Sequence, residues 1–216
     1  MSKRDKYTVY GWMRQAEKEM IIGHIPSMIS CICLLYFRDD EEFAHSYKCL
    51  QLSENQRKIT QTWNIYSMCY GHGKIQIPST SNIICRWKVR IHPANNSNNV
   101  TRIIGISSNK ETNCQWFDNL QGVHYAVKTT KIHGNIRYFK VYDGNQWQSC
   151  FKSWQDGDII SICLNLSKNT LTFKVNGYLI NPIMTNIHKN DAIKYHLMVG
   201  MSCLDAVVEI LSFTQF

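Results

Sequence analysis

Apolar and polar side chains alternate with a period of two through most of the chain beyond residue 80. Ile83, Cys85, Trp87, Val89 and Ile91 alternate with Arg86, Lys88 and Arg90, the pattern of a strand with one buried and one wet face. From Gly157 the pattern repeats twice. Ile160, Ile162, Leu164 and Leu166 alternate with Ser161, Cys163 and Asn165, and after a polar turn at 167–170, Leu171, Phe173 and Val175 alternate with Thr172, Lys174 and Asn176. Asn176-Gly177 suits a type I′ turn, whose two central residues both need φ > 0. The stretch therefore predicts an antiparallel hairpin opening into a short third strand at 178–180. Further strands are expected at 63–67, 100–107, 123–130, 136–142, 196–202 and 206–213, with a polar loop at 92–99, a longer loop at 109–122 and a turn at Asp143-Gly144-Asn145-Gln146. Short strands without helical crossovers predict a mainly β, two-sheet antiparallel sandwich.

The first part of the chain has a different period. Val9, Trp12, Met13, Ala16 and Met20 fall on one helical face, opposite Arg14, Gln15, Glu17, Lys18 and Glu19. Gly23 suits the helix end, and Pro26 the first turn of another. From Met28 to Phe37 almost every residue is apolar, a run about half the length of a membrane span. Arg38 to Glu42 reads as a solvated acidic stop. Residues 7–43 are expected to form a short α-helical hairpin packed on the sandwich, with a docking helix for a partner as the alternative. The polar stretch 44–58 places the boundary, giving residues 1–58 as helical segment and linker and 59–216 as sandwich.

Composition adds little to the fold and something to the partners. The 216 residues are 44% hydrophobic and 19% charged, with four prolines, an ordinary globular balance. The net charge of +8 is uneven. Residues 1–58 hold nine Lys/Arg and eight Asp/Glu; the rest hold fifteen and eight. The basic excess lies in the β part and favours acidic partners. Nine cysteines without a framework, behind an N-terminus without a signal-peptide core, suggest buried reduced thiols in a cytoplasmic protein. The glycosylation-type triplets at Asn95, Asn99 and Asn165 then carry no weight.

Candidate chemistry is sparse. Gly71-His72-Gly73-Lys74 lacks the spacing of a phosphate loop and reads as a glycine turn. Cys31 and Cys33 would sit about 200° apart on a helix, and Cys69-x-x-His72 lacks a matching second pair. Neither the run Asp39 to Glu42 nor the pair Asp156/Asp158 resembles an acid/base pair in an apolar cleft. No enzyme, cofactor or metal is expected.

Two binding surfaces remain. Arg86, Lys88 and Arg90 form a basic stripe, the candidate for a polyanion or nucleic acid, although their aromatic neighbours point to the other sheet face and so offer no stacking platform. The other surface is made of end loops, where binding residues tend to sit. Trp116, Phe117, Asn145, Trp147 and Trp154 lie in or beside expected loops, and large aromatic groups dominate binding hot spots. Trp116 and Phe117 stand out because Asn113, Gln115, Asp118 and Asn119 around them show no strand alternation. A carbohydrate-binding sandwich would instead need aromatic platforms with acidic or amide groups on one concave face.

The segment Gly157-Asp-Ile-Ile, a strand ending in Asn165-Leu166, then Thr170-Leu-Thr-Phe-Lys-Val-Asn-Gly177 resembles the signature hairpin of the SPRY domain. Trp87-Lys88-Val89, Ile104-Gly105-Ile106-Ser107 and the closing segment Leu197 to Phe213 follow in SPRY order, so the resemblance covers about 59–216. It implies a bent β-sandwich and a non-enzymatic module that binds a peptide or protein through end loops, as a substrate-recognition adaptor or signalling scaffold, including ubiquitin-ligase adaptors. One subgroup, which carries a SOCS box, uses a Trp-Gly pair between the last two strands. Here that position reads Cys203-Leu204, so its peptide preference is not carried over, and no SOCS box is expected after Phe216. Ile25-Pro26-Ser27-Met28-Ile29 with Leu34-Leu35-Tyr36 has a faint look of an F-box opening. The expected partner-binding residues are Trp116, Phe117, Asn145, Trp147, Cys203 and Leu204; the expected partner is a protein or peptide, with neither a membrane nor nucleic acid favoured.

Overall fold

The computed structural model describes residues 41–46, 49–53, 55–62, 68–94, 100–108, 122–132, 135–150, 154–202 and 204–216. Two antiparallel sheets lie face to face. The seven-stranded sheet runs, in spatial order, β13 (Tyr178–Thr185), β12 (Thr170–Val175), β11 (Ile159–Asn165), β6 (Ile84–His92), β15 (Val207–Gln215), β3 (Lys58–Gln61) and β2 (Leu50–Leu52). The eight-stranded sheet runs β1 (Phe43–Ser46), β4 (Cys69–Gly73), β14 (Lys194–Met201), β7 (Val100–Ser107), β8 (His124–Ile132), β9 (Asn135–Tyr142) and β10 (Trp147–Ser149), with β5 (Ile77–Pro78) paired to β14. This is the expected sandwich.

The seven-stranded sheet follows its alternation closely. On β6 Cys85, Trp87, Val89 and Ile91 are buried while Arg86, Lys88 and Arg90 are exposed. Strands β11 and β12 pair from Ile160↔Val175 to Asn165↔Thr170. Asn176 and Gly177 take φ of 48° and 85°, as a type I′ turn needs. The third strand is longer than expected, reaching Thr185. Inner-face residues such as Trp87, Phe173, Phe213, Tyr125 and Tyr195 fill the core, each large side chain worth about 1.5–3 kcal/mol on burial.

Four expectations change. The sandwich starts before residue 59: β1 pairs with β4 and β2 pairs with β3, and Phe43 is part of the main core. Glu41, read as one of a solvated acidic run, is buried, and its Oε2 accepts a 2.8 Å hydrogen bond from Trp87 Nε1. Gly71-His72-Gly73, read as a turn, belongs to β4; a Cβ on Gly73 would lie 2.8 Å from Glu41 Oε1, so glycine is needed for close approach. Finally, the cysteines are not all free thiols. Cys49 and Cys69, 20 residues apart, form a disulfide, because β1 and β4 pair antiparallel with Ser46 opposite Gly71, which brings Cys49 beside the start of β4. Cys69 is thereby removed from any Cys69/His72 ligand pair. The helical hairpin expected at 7–43 lies, except for its last three residues, outside the described residues, as does the strand expected at 63–67.

The central strands of the eight-stranded sheet, β4, β14 and β7, are buried on both faces. A second apolar cluster, Met68, Tyr70, Ile103, Ala126 and Met198, sits on the face turned away from the main core, with Tyr142 and Trp147 packed against it. Gly200 lets the Tyr70 ring lie across this face, since a Cβ there would come within 2.6 Å of Tyr70 Cε1.

Candidate functional site

Strand register decides which loops share an end of the sandwich. Ser107 at the end of β7 faces His124 at the start of β8, and Ala126 two residues on faces Tyr142 at the end of β9. The 109–121 loop and the turn after Tyr142 therefore leave from the same end. Ser108 N donates to Val123 O and Val123 N to Ser108 Oγ, both at 2.9 Å, closing the neck of the loop. Trp116 and Phe117 themselves lie outside the described residues.

The turn is held by its own aspartate. Asp143 Oδ1 accepts hydrogen bonds from Asn145 N and Gln146 N, each at 3.0 Å, and Oδ2 accepts from Gln148 Nε2. Partial burial pushes the Asp143 carboxyl up, but these donors outweigh it and hold its pKa below the usual carboxylate value. Gly144 takes a φ of +98° with the Tyr125 ring beneath it, and a Cβ would lie 2.9 Å from Tyr125 Cε1. Asn145 is exposed at the tip.

Trp147 is less open than a loop reading implies. It pairs with Tyr142 across β9 and β10, the two rings lie 5.2 Å apart, and Lys128 Nζ sits 5.4 Å from its centroid. It is half-buried against the second apolar cluster. Trp154 is a core residue, 0% exposed.

Leu204 belongs to the opposite end. His196 at the start of β14 faces Ser107, whereas Met201 at its end faces Arg102, so the connection to β15 emerges away from Asn145. Leu204 is 39% exposed; Cys203 lies outside the described residues. Thus Asn145, Trp147 and the neck of the 109–121 loop are brought together, and Leu204 is not.

This second end holds a feature the sequence reading missed. Arg102 is fully buried; its Nη1 lies 2.6 Å from Asp156 Oδ1 and its Nη2 donates to His92 O at 3.1 Å. The pair ties β7 in one sheet to the turn ahead of β11 in the other. The signal was parity, since Arg102 shares its strand face with the core residues Ile104 and Ile106.

On the outer face of the seven-stranded sheet the basic stripe is exposed but not uniform. Arg90 Nη1 lies 3.9 Å from Glu209 Oε2, and Glu209 also meets Lys58 at 3.6 Å and His92 at 2.8 Å. Partial burial raises the Glu209 pKa, but the His92 hydrogen bond and the Lys58 charge outweigh it and hold the carboxyl below its usual value. Arg86 lies over the Phe216 ring at 5.4 Å. Lys88 and Arg86, with Lys174 from β12, border a shallow depression of ≈ 330 Å³.

Among the described residues no group of three or more His, Cys, Asp or Glu side chains is arranged to hold a metal ion. No helix among them is long and apolar enough to cross a membrane.

No protein-family model matches the sequence, and no curated protein sequence matches it. Solved structures do. The chain is similar to the SPRY domain of human HERC1, with a TM-score of 0.52 and 16% identity over 76% of this chain and 93% of that one. It is similar to the TRIM65 PSpry domain, with a TM-score of 0.54 and 11% identity over 79% and 90%. It is also similar to the carbohydrate recognition domain of Emp46p in its metal-free form, with a TM-score of 0.50 and 12% identity over 85% and 93%. At these identities the likeness is one of fold, and that fold is a SPRY-like β-sandwich.

Proposed function

We propose that this SPRY-like sandwich is a non-catalytic binding module that takes a peptide or protein surface at the end carrying the 109–121 loop and the Asp143–Gln146 turn. The observation that carries the reading is the register of β7, β8 and β9, which sends both connections out of one end. A turn already fixed by Asp143 loses little freedom on binding, and preorganisation of this kind raises affinity. Trp116 and Phe117 would supply the apolar anchors, each worth about 1.5–3 kcal/mol when covered, and exposed Asn145 an orienting hydrogen bond. Leu204, at the far end, drops out of this site.

In the cell such a module acts as a substrate-recognition adaptor or scaffold, with a ubiquitin-ligase or signalling assembly as the setting. A carbohydrate ligand is disfavoured because the open sheet face gathers cations rather than aromatic platforms with carboxylates. A cytoplasmic location stands against the Cys49–Cys69 disulfide, a bond of oxidising compartments; alkylating free thiols at the moment of lysis decides between them.

The test is site-specific photo-crosslinking. A photoreactive residue placed at Asn145 is expected to capture a discrete partner, one placed at Leu204 is not, and Trp116→Ala with Phe117→Ala abolishes capture at an unchanged melting temperature. Capture from Leu204 alone, or a melting temperature that falls with the double substitution, refutes the assignment.

A further inference from the structure

We propose that the depression on the outer face of the seven-stranded sheet binds a ligand carrying two or more clustered phosphate groups. The surface is distinct from the loop end, and the inference does not depend on it.

Three neighbouring strands build the site in two rows. Lys88 on β6, Ser161 on β11 and Lys174 on β12 are register partners, as are Arg86, Cys163 and Thr172. The middle strand contributes only short side chains, so the long cations on both flanks stand above a floor and enclose the depression of ≈ 330 Å³. Strand spacing of ~4.8 Å sets Lys88 and Lys174 about 10 Å apart at the backbone, and two residues along β6 set Arg86 about 7 Å from Lys88. Flexible side chains on those bases can converge on phosphates linked to one another. Ser161 and Thr172 add hydroxyl donors on the floor.

Charge selects among ligands. Among the described residues Arg86, Lys88 and Lys174 have no carboxylate partner, whereas Arg90, one step further along β6, is engaged by Glu209. The free positive charge is therefore compact and ends at Lys88. One orthophosphate cannot neutralise three cations, while linked phosphates can. A nucleic-acid strand would need the charge to continue as a track and rings on which bases stack. Here Glu209 interrupts the track, and the Phe216 ring beside the site is already covered by Arg86.

The experiment is calorimetric titration of the full chain at low salt with inorganic tripolyphosphate and with orthophosphate. Tripolyphosphate is expected to bind, and orthophosphate at least about tenfold more weakly. Lys88→Gln, Lys174→Gln and Arg86→Gln are each expected to weaken tripolyphosphate about tenfold, the worth of one charge-assisted hydrogen bond, and Arg90→Gln less than about twofold. All four positions are exposed, so melting temperatures should not change. A second arm asks where the phosphates reside. Phosphatidylcholine vesicles with and without phosphatidylinositol 4,5-bisphosphate are sedimented with the protein. Capture that needs the phosphoinositide and the same three cations assigns the phosphates to a bilayer; tripolyphosphate binding without capture assigns them to a solute. No tripolyphosphate binding, equal affinity for orthophosphate, or an Arg90→Gln loss as large as that of Lys88→Gln overturns the proposal. So does a single-stranded oligonucleotide that binds more tightly than tripolyphosphate.

Discussion

Replacing Glu41 tests the core where the sequence reading and the structure differ most. Its Oε2 accepts from Trp87 Nε1 at 2.8 Å and its Oε1 from Ile75 N at 3.0 Å, and the side chain is almost wholly buried. Glu41→Ala leaves both donors behind without an acceptor. A buried donor left unsatisfied costs about 1–3 kcal/mol, so the loss should be about 2–6 kcal/mol, against the roughly 5–15 kcal/mol that holds a typical domain. Glu41→Gln keeps the shape and one acceptor, but turns an amide N–H₂ toward one of the donors; about 1–2 kcal/mol is expected. The pH dependence provides a second check. Burial raises the Glu41 pKa, outweighing the hydrogen bonds from Ile75 and Trp87 that lower it. A carboxyl whose folded pKa exceeds its unfolded value contributes most below the unfolded value and loses that contribution as pH rises through the folded one. The stability gap between wild type and Glu41→Gln should therefore be widest in acid and narrow upward from the ordinary glutamate range. Urea titrations followed by tryptophan fluorescence across pH measure it. A cost for Glu41→Ala below about 1 kcal/mol, as for a surface carboxylate, or a gap that widens with pH, would refute the reasoning.

Phe173→Ala, on the core face of β12, should cost about 3–5 kcal/mol, while Lys174→Ala, exposed on the same strand, should be nearly neutral in the same titration. Cys49→Ser should lower stability by about 3 kcal/mol through the loop it opens; equal urea midpoints with and without reductant would contradict that. Asp143→Ala should cost about 1 kcal/mol. Because the Asp143 pKa is lowered on folding, its contribution is present above the ordinary aspartate value and disappears as pH falls through the lowered one, so the variant should converge with wild type in acid.

What the sequence revealed depended on water. Strands β6, β11 and β12 each have one solvated face, so their alternation was legible to within a residue or two. Strand β4 is buried along its whole length; nothing alternates in Cys-Tyr-Gly-His-Gly, and its two glycines, of which Gly73 is needed for the close approach of Glu41 and Leu197, imitate a turn. Glu41 was misread for the opposite reason, because three acidic neighbours conceal the one that points inward. For the proposed binding end, Asn145 and Trp147 could be picked out as residue types near a turn. Their separation from Leu204 could not, since it depends on the direction in which β14 crosses β7. Arg102 was hidden behind its charge, although its parity with Ile104 and Ile106 was there to be counted.

The Cys49–Cys69 bond also sets the route by which tension would travel through the molecule. A pull on the chain ahead of residue 41, of the kind a tethered partner exerts, first works against Glu41 and then peels β1 from β4, one pair of backbone bonds at a time. At Cys49 the peeling stops, because the load passes through the sulfurs into β4, which is flanked by β14. Strands β2 and β3 lie inside the closed loop and carry none of it once Phe43 N has parted from Gln56 O. The sandwich can therefore give up its first edge strand and lengthen by a few residues while every later strand keeps its place, as a leash with a fixed stop.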